Sequence, residues 1–454
     1  MKKIEKVEKS KVQRQENQVS LALNILDVLK KLVKIRSFWI VLVIFLFELF
    51  LRSYQMDLKN PFGYDQVDNA WAAKNLIVNG NLPLVGMVAK ANSGIYIGPA
   101  YYYIVSFFYW IFNLDPRASL AISVATGIFT FWVIFYVSKK LFSIEFAIIA
   151  LLLNTFNFKA ILFDGVQWPV QLLPAISLII FYLLYKVILG DVKKLVLLAF
   201  FVGFTFNLHF TAIFFPIIIF LSLPLFPRKK ETLKYIFLSF PFFIIWLIPN
   251  IIYSLTEKSA NSTATSYLST YYHGFHLTRF MQIMGDAIIQ FDPYLALEKI
   301  KPFKVLILPL FFIAYWLKNK ASERFKFLYL VFLWFMVPWF VFTTYSGEIS
   351  DYYFVLNRFI VLLILSYFLY SVWNLKYRIA KILIISFLFV YSVYAVSEFL
   401  PYKDPGNFVE REEAARRAVS EQRRIEFQQG VPESYLYYYY MRQKGVEVYV
   451  SKDR

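Results

Sequence analysis

The chain is a succession of long Leu, Ile, Val and Phe runs separated by short charged breaks, and this pattern constrains the fold more than any other feature. The first run is Phe38–Leu51; others lie near 118–138, 143–157, 168–189, 195–208, 210–226, 235–254, 302–317, 327–345, 354–374 and 379–399. Inside a bilayer each backbone N–H and C=O must be satisfied within its own segment, so these runs are expected as helices. About 20 apolar residues are needed to cross the hydrocarbon core. Several runs are shorter, and flanking aromatic residues must complete those crossings. Hydrophobic residues make up 59% of the chain and charged residues 17%, against about 45–50% and about 25% in soluble chains. One soluble core could not bury that much apolar surface. A soluble globular enzyme and a disordered chain are therefore excluded, and the absence of cysteine excludes a disulfide scaffold. The expected class is an all-α polytopic membrane protein.

The net charge of +18 is an orientation signal. No soluble basic domain exists to carry a nucleic acid, so none is expected as a partner. Residues 1–36 hold ten Lys/Arg against four Asp/Glu, which marks a basic cytoplasmic arm. Alternate breaks then carry Lys139-Lys140, Lys186 with Lys193-Lys194, Arg228 to Lys234, Lys318 to Lys326 and Lys376 to Lys381. The opposite breaks carry Asp57, Asp65, Asp68, Asp115, Asp164, Asp286, Asp292, Glu348 and Asp351. Basic loops face the cytoplasm and the acidic set faces out, in the cytoplasmic membrane of a cell. The alternation holds if 95–112, rich in Tyr and Trp, lies at the outer interface without a net crossing. This gives about eleven spans with the amino terminus inside and the carboxyl terminus outside, or about thirteen if that region crosses twice. The membrane domain is 37–400, its first outer loop 53–116. The tail 401–454 is charged and extracytoplasmic, with helices expected at 407–427 and 433–443 and a strand at Val446–Val450.

Charges near membrane depth are costly, which makes the few present default functional candidates. The richest stretch is Gly63-Tyr64-Asp65-Gln66-Val67-Asp68-Asn69-Ala70-Trp71. On a helix Asp65, Asp68 and Asn69 share one face, and Asn79-Gly80-Asn81 is a stop signal. A carboxylate there, beside the tyrosines around Tyr102, suits removal of a proton from a hydroxyl. It equally suits a divalent cation, or Asp65 serves as the helix cap. Arg117 in Asp115-Pro116-Arg117 can grip a phosphate with its forked guanidinium or anchor at the interface. His209 sits in a turn between two spans, where a structural hydrogen-bonded role competes with a functional one. Arg358 either pairs with Asp351 or binds a lipid phosphate. Asp164, in Phe163-Asp164-Gly165-Val166-Gln167-Trp168-Pro169, adds another carboxylate. There is no P-loop, dinucleotide-binding glycine fingerprint, nucleophile elbow or His-Glu-x-x-His.

Several of these elements occur in an order that resembles the GT-C class of lipid-linked glycosyltransferases, specifically the family of protein O-mannosyltransferases and the lipid A aminoarabinose transferase. Over roughly 38–400 the chain shows one span, Gly63-Tyr64-Asp65-Gln66, Gly98-Pro99-Ala100-Tyr101-Tyr102-Tyr103, Asp115-Pro116-Arg117, Trp168-Pro169, Phe206-Asn207-Leu208-His209 and Asp351-Tyr352-Tyr353 to Arg358. The resemblance implies a GT-C-like helix bundle and a polyprenyl-phosphate sugar donor. It implies transfer to an acceptor hydroxyl with inversion, on the extracytoplasmic side. Asp65 matches the family's acidic residue, the base or metal contact. The family's partner glutamate is replaced by Gln66, and Asp68 stands one turn on. The family's basic residue before Pro-x-x-Tyr is absent, since Ile97 and Gly98 stand there. Phosphate recognition then falls to Arg117, His209, Arg358 or Lys90, with Gln66, Asp164 and Tyr102 in support. The competing classes are a flippase or transporter of lipid-linked saccharides, which predicts pseudo-symmetric halves, and a polymerase or ligase of surface polysaccharide.

Overall fold

The computed structural model describes residues 35–90, 93–294, 303–319, 321–421 and 431–445. Most of the basic arm and the expected strand Val446–Val450 lie outside these residues, as does the end of the helix expected at 407–427. The described chain is helical, joined by short connections and three isolated β-bridges. In order, the helices are α1 Arg36–Ser53, α2 Met56–Lys59, α3 Tyr64–Asn79, α4 Ala100–Ile111, α5 Ala118–Leu141, α6 Ile144–Thr155, α7 Phe158–Gly165, α8 Leu173–Ile188, α9 Lys194–Thr205 and α10 Phe214–Ser222. They continue as α11 Lys230–Ile244, α12 Ile248–Thr256, α13 Lys258–Tyr271, α14 Leu277–Ala287, α15 Lys304–Lys318, α16 Ala321–Thr343, α17 Arg358–Trp373, α18 Arg378–Phe399, α19 Phe408–Ser420 and α20 Pro432–Gln443. The chain divides into two units, Met1–Phe47 and Glu48–Arg454, with the boundary inside α1. The described part of the first unit is the apolar start of α1, where Phe38 and Trp39 meet edge to face at 5.5 Å. The candidate residues all belong to the second unit.

Among the described residues, five helices are long and apolar enough to cross a membrane unaided, and seven if each of two bent pairs counts as one span. The longer tally from sequence differs because two apolar runs lead into bent helix pairs and others form helices too short to cross alone. The α6–α7 pair bends by 71°, where the Asn157 side chain accepts from Ala160 N at 2.7 Å and starts a new helix. The α11–α12 pair bends by 55°, with Pro249 in the first turn of α12. Helix α9 and the segment Phe210–Leu225 are apolar but short. Helix α4 has 12 residues, about 18 Å at 1.5 Å per residue, too little to cross about 30 Å of hydrocarbon.

Four buried charges tie the interior together. Arg52 Nη2 donates to Asp164 Oδ2 at 2.7 Å, and Arg358 Nη1 donates to Asp164 Oδ1 at 3.3 Å. Arg52 Nε lies 2.7 Å from Glu48 Oε1, an ion pair by distance but misaligned for a hydrogen bond. None of the four is more than 6% exposed. Two arginines against two acids leave the cluster formally neutral, which offsets the desolvation a lone charge would suffer. Arg358 pairs with Asp164 and not with Asp351 as the sequence suggested, because residues 351–357 form a 3-10 turn leading into α17 while α7 delivers Asp164 to the guanidinium.

The tail folds back onto the first loop. Lys59, almost fully buried, donates to the carbonyls of Phe399, Leu400 and Tyr402 at 2.7–2.9 Å and caps the end of α18. Phe62 N donates to Gly406 O and Phe408 N to Asn60 O. Helix α20 presents a tyrosine face to α3: Trp71 Nε1 donates to Ser434 Oγ at 3.2 Å, and the Trp71 ring meets Tyr435 and Tyr438.

Candidate active site

The site is built around the start of α3. Gly63 is the N-cap residue, and the Gln66 side chain accepts from Gly63 N at 2.8 Å. The cap is thus supplied by Gln66 and not by Asp65, which was one expectation, because Asp65 already lies inside the first turn. Gly80 ends the helix in the left-handed conformation, φ 67°, as the Asn79-Gly80-Asn81 signal implies. Asp65, Asp68 and Asn69 share one face; Asn69 Nδ2 donates to the Asp65 carbonyl at 2.6 Å. The half-buried Asp65 carboxylate itself makes no hydrogen bond and no ion pair among the described residues. Burial, and secondarily the Asp68 charge, push its pKa up to about 6. Asp68 is also raised by burial, against which the hydroxyl of Tyr102 donates to its Oδ2.

Two sequence elements far apart in the chain meet to hold Tyr101 and Tyr102. Asn207 Oδ1 accepts from Ala100 N at 3.1 Å and caps α4. Gly98 permits this, since a Cβ there would run into the Asn207 carboxamide. Tyr101 Oη accepts from Gln167 Nε2 at 2.9 Å. Gln66 Nε2 donates to Gln167 O at 2.7 Å, so the Val166–Trp168 connection after α7 touches both α3 and α4.

An aromatic wall faces this corner. The Trp168 ring lies 5.1 Å from Tyr352, which lies 5.6 Å from His209. His209 also meets Tyr353 at 5.4 Å. Lys90 Nζ sits 5.8 Å above the Tyr353 ring and donates to Glu348 O at 2.9 Å. The wall adjoins the α3–α4 corner through the chain itself, since Trp168 follows Gln167, whose carbonyl accepts from Gln66. Trp168 Nε1 and Gln167 Oε1 have no hydrogen-bond partner among the described residues. His209 Nδ1 pairs with Thr211 Oγ1 at 2.8 Å, and burial pushes its pKa down to about 3. It is therefore a neutral imidazole at ordinary pH.

The candidate residues fall into three groups. Asp65, Asp68, Gln66 and Tyr102 form the α3–α4 corner, and Lys90 and His209 gather at Tyr352 and Tyr353 beside it. Arg358 and Asp164 belong to the buried charge cluster. Arg117 is elsewhere: its guanidinium bridges to Glu412 in the tail at 2.9 and 3.0 Å, while Tyr439 donates to the adjacent Asp115. Sequence reasoning missed Trp168 as a neighbour of the aromatic wall, Tyr352 and Asn207 in these roles. Trp168-Pro169 and the Tyr352-Tyr353 pair were visible as motifs, but their meeting depends on the packing of four separate elements. No group of three or more His, Cys, Asp or Glu side chains converges on a metal site among the described residues.

No protein-family model matches the chain, and no curated protein matches it. Its backbone is similar to that of ArnT from Cupriavidus metallidurans in a crystal structure described as bound to undecaprenyl phosphate: TM-score 0.54, 12% identity, covering 89% of this chain and 75% of that one. The same protein in its apo state gives a TM-score of 0.49 at 13% identity, covering 88% and 74%. The first likeness shows a shared GT-C fold, an all-α polytopic membrane architecture.

Proposed function

We propose that this protein is a membrane glycosyltransferase that moves a sugar from a polyprenyl-phosphate donor to an acceptor hydroxyl, with inversion. The observation that carries the reading is Asp65, a partly buried carboxylate with no partner among the described residues and a proton affinity near neutrality, in a fold shared with ArnT. Such a group can accept a proton at ordinary pH without first leaving another ligand. In the reaction Asp65 takes the acceptor proton, and the oxygen attacks the anomeric carbon. The bond from that carbon to the phosphate oxygen breaks, and the electron pair leaves with the lipid phosphate. Of the basic candidates, Arg358 is held by Asp164 and Arg117 by Glu412. Lys90 is therefore assigned to the departing phosphate, with neutral His209 as a hydrogen-bonding neighbour. Asp68 with Tyr102 holds the same helix face and tunes Asp65 by its charge.

Charge sidedness supports the Asp65 end facing outward from the cytoplasmic membrane, with residues 1–36 inside and the tail 401–454 outside. The test is to incubate purified protein in liposomes with a radiolabelled polyprenyl-phosphate sugar and a membrane extract as acceptor source, beside Asp65→Asn. Transfer by wild type and its loss in the variant are expected. Equal transfer by the variant refutes the base, and movement of the donor between leaflets without transfer favours a flippase.

A further inference from the structure

Resting on that reading, we propose that Gln66 is a positioning residue whose amide ties the first turn of α3, and with it Asp65, to the backbone of the loop that follows α7, at Gln167. Its two ends do different work. Oε1 accepts from Gly63 N at 2.8 Å within α3, and Nε2 donates to Gln167 O at 2.7 Å in the loop. The side chain is 3% exposed, so neither bond has water as a substitute.

The loop is a firm anchor because it and the end of α7 before it are held from several directions. Asp164 is gripped by Arg52 and Arg358. Its carbonyl accepts from Gln171 Nε2, and Gly165 O accepts from Ser123 Oγ at 2.9 Å. Gly165 packs so closely on Asn60 that a Cβ would collide with the carboxamide. Gln167 Nε2 reaches Tyr101 Oη at 2.9 Å. Helix α3 enters this region from a short connection, and the Asp65 carboxylate makes no hydrogen bond or ion pair among the described residues to fix it. The amide of Gln66 is thus what transmits the loop's rigidity to the carboxylate next to it in sequence. The amide accepts at one end and donates at the other at every pH, whereas an ionised carboxylate of the same shape would present an acceptor to the Gln167 carbonyl and bring a buried charge.

The test compares wild type with Gln66→Glu, which keeps shape and loses the donor once its carboxyl is ionised, and Gln66→Met, which keeps bulk and loses both ends. Three quantities are read in the full-length protein: hydrogen exchange of the peptide over residues 60–72, the thermal unfolding midpoint, and kcat and donor KM for sugar transfer. Positioning predicts exchange at the start of α3 faster by about tenfold in both variants. It predicts kcat lower by on the order of 100-fold from misplacement of the base, with donor KM within about threefold and the midpoint lowered only by the few degrees that two lost buried hydrogen bonds account for. Unchanged exchange overturns the proposal, and so does kcat close to wild type despite faster exchange. A fall of kcat accompanied by a large drop in the midpoint shows a merely structural residue and also overturns it. If wild type transfers no sugar, the glycosyltransferase reading falls. If wild type transfers and the variants match it, only the positioning role falls.

Discussion

Replacing Asp65 by Asn keeps the side chain's size and removes its ability to take a proton. Burial and the Asp68 charge raise its pKa from 3.8 to about 6, so the base form is present above about 6 and is lost as pH falls through that value. From about pH 7 to about pH 5 the ionised fraction drops from about 0.9 to about 0.1, so kcat/KM should fall about tenfold. A carboxylate at its ordinary value would lose less than about a tenth of its base form over the same interval. Losing the base outright costs on the order of 100- to 10,000-fold, or about 3–5 kcal/mol of barrier. Stability should move the other way. A carboxyl whose folded pKa is raised contributes stability below its unfolded pKa, and that contribution is lost as pH rises through about 6. Asp65→Asn should therefore stabilise the fold at neutral pH, by on the order of 1 kcal/mol after allowing for partial solvent screening. The assay is transfer of radiolabelled sugar across a pH series, with unfolding followed in parallel. An acid limb near 4, or a variant both active and less stable, would refute the reasoning.

The other expectations follow from single contacts. Asp164→Ala strands Arg52 and Arg358 in the interior, and should destabilise by about 3–5 kcal/mol, measured as a fall in the unfolding midpoint in detergent; a second substitution, Arg358→Met, should recover part of it. Tyr102→Phe removes the hydrogen bond that lowers the Asp68 pKa, so Asp68 should titrate higher, seen as a changed acid limb of transfer. Arg117→Ala breaks a pair whose arginine side chain is 46% exposed, and should change stability by less than about 1 kcal/mol; donor KM should stay constant, and a large rise would restore Arg117 to the phosphate site. Lys59→Met leaves three carbonyls without their donor and should destabilise by about 1–3 kcal/mol, with faster proteolysis of the tail.

Much of this was legible in sequence because it rests on local rules. The stop at Gly80 and the start of α20 near Pro432 each follow from residues within a turn or two. The partners of the candidate residues were not legible, since each choice was settled between elements far apart. Arg358 had Asp351 seven positions before it, yet it pairs with Asp164 from another helix. Arg117 was a plausible phosphate ligand until the tail returned with Glu412. The number of long apolar helices fell below the number of apolar runs because two runs lead into bent pairs, at Asn157 and near Pro249, and others form helices too short to cross alone, such as Lys194–Thr205 and Phe210–Leu225.

By itself the sequence determined that the chain is a helical membrane protein and marked one acidic stretch, Gly63 to Trp71, as a candidate site, while passing over Glu48 inside the first apolar run. Apolar periodicity and the cost of unsatisfied backbone in lipid are enough for that. Only the tertiary structure decided which charges are spoken for. In a low-dielectric interior a charge is stabilised by the partner that packing brings to it, whatever their separation in the chain. Packing gave Asp164 to the two arginines, Glu412 to Arg117 and Tyr102 to Asp68. It left the carboxylate of Asp65 without a partner among the described residues.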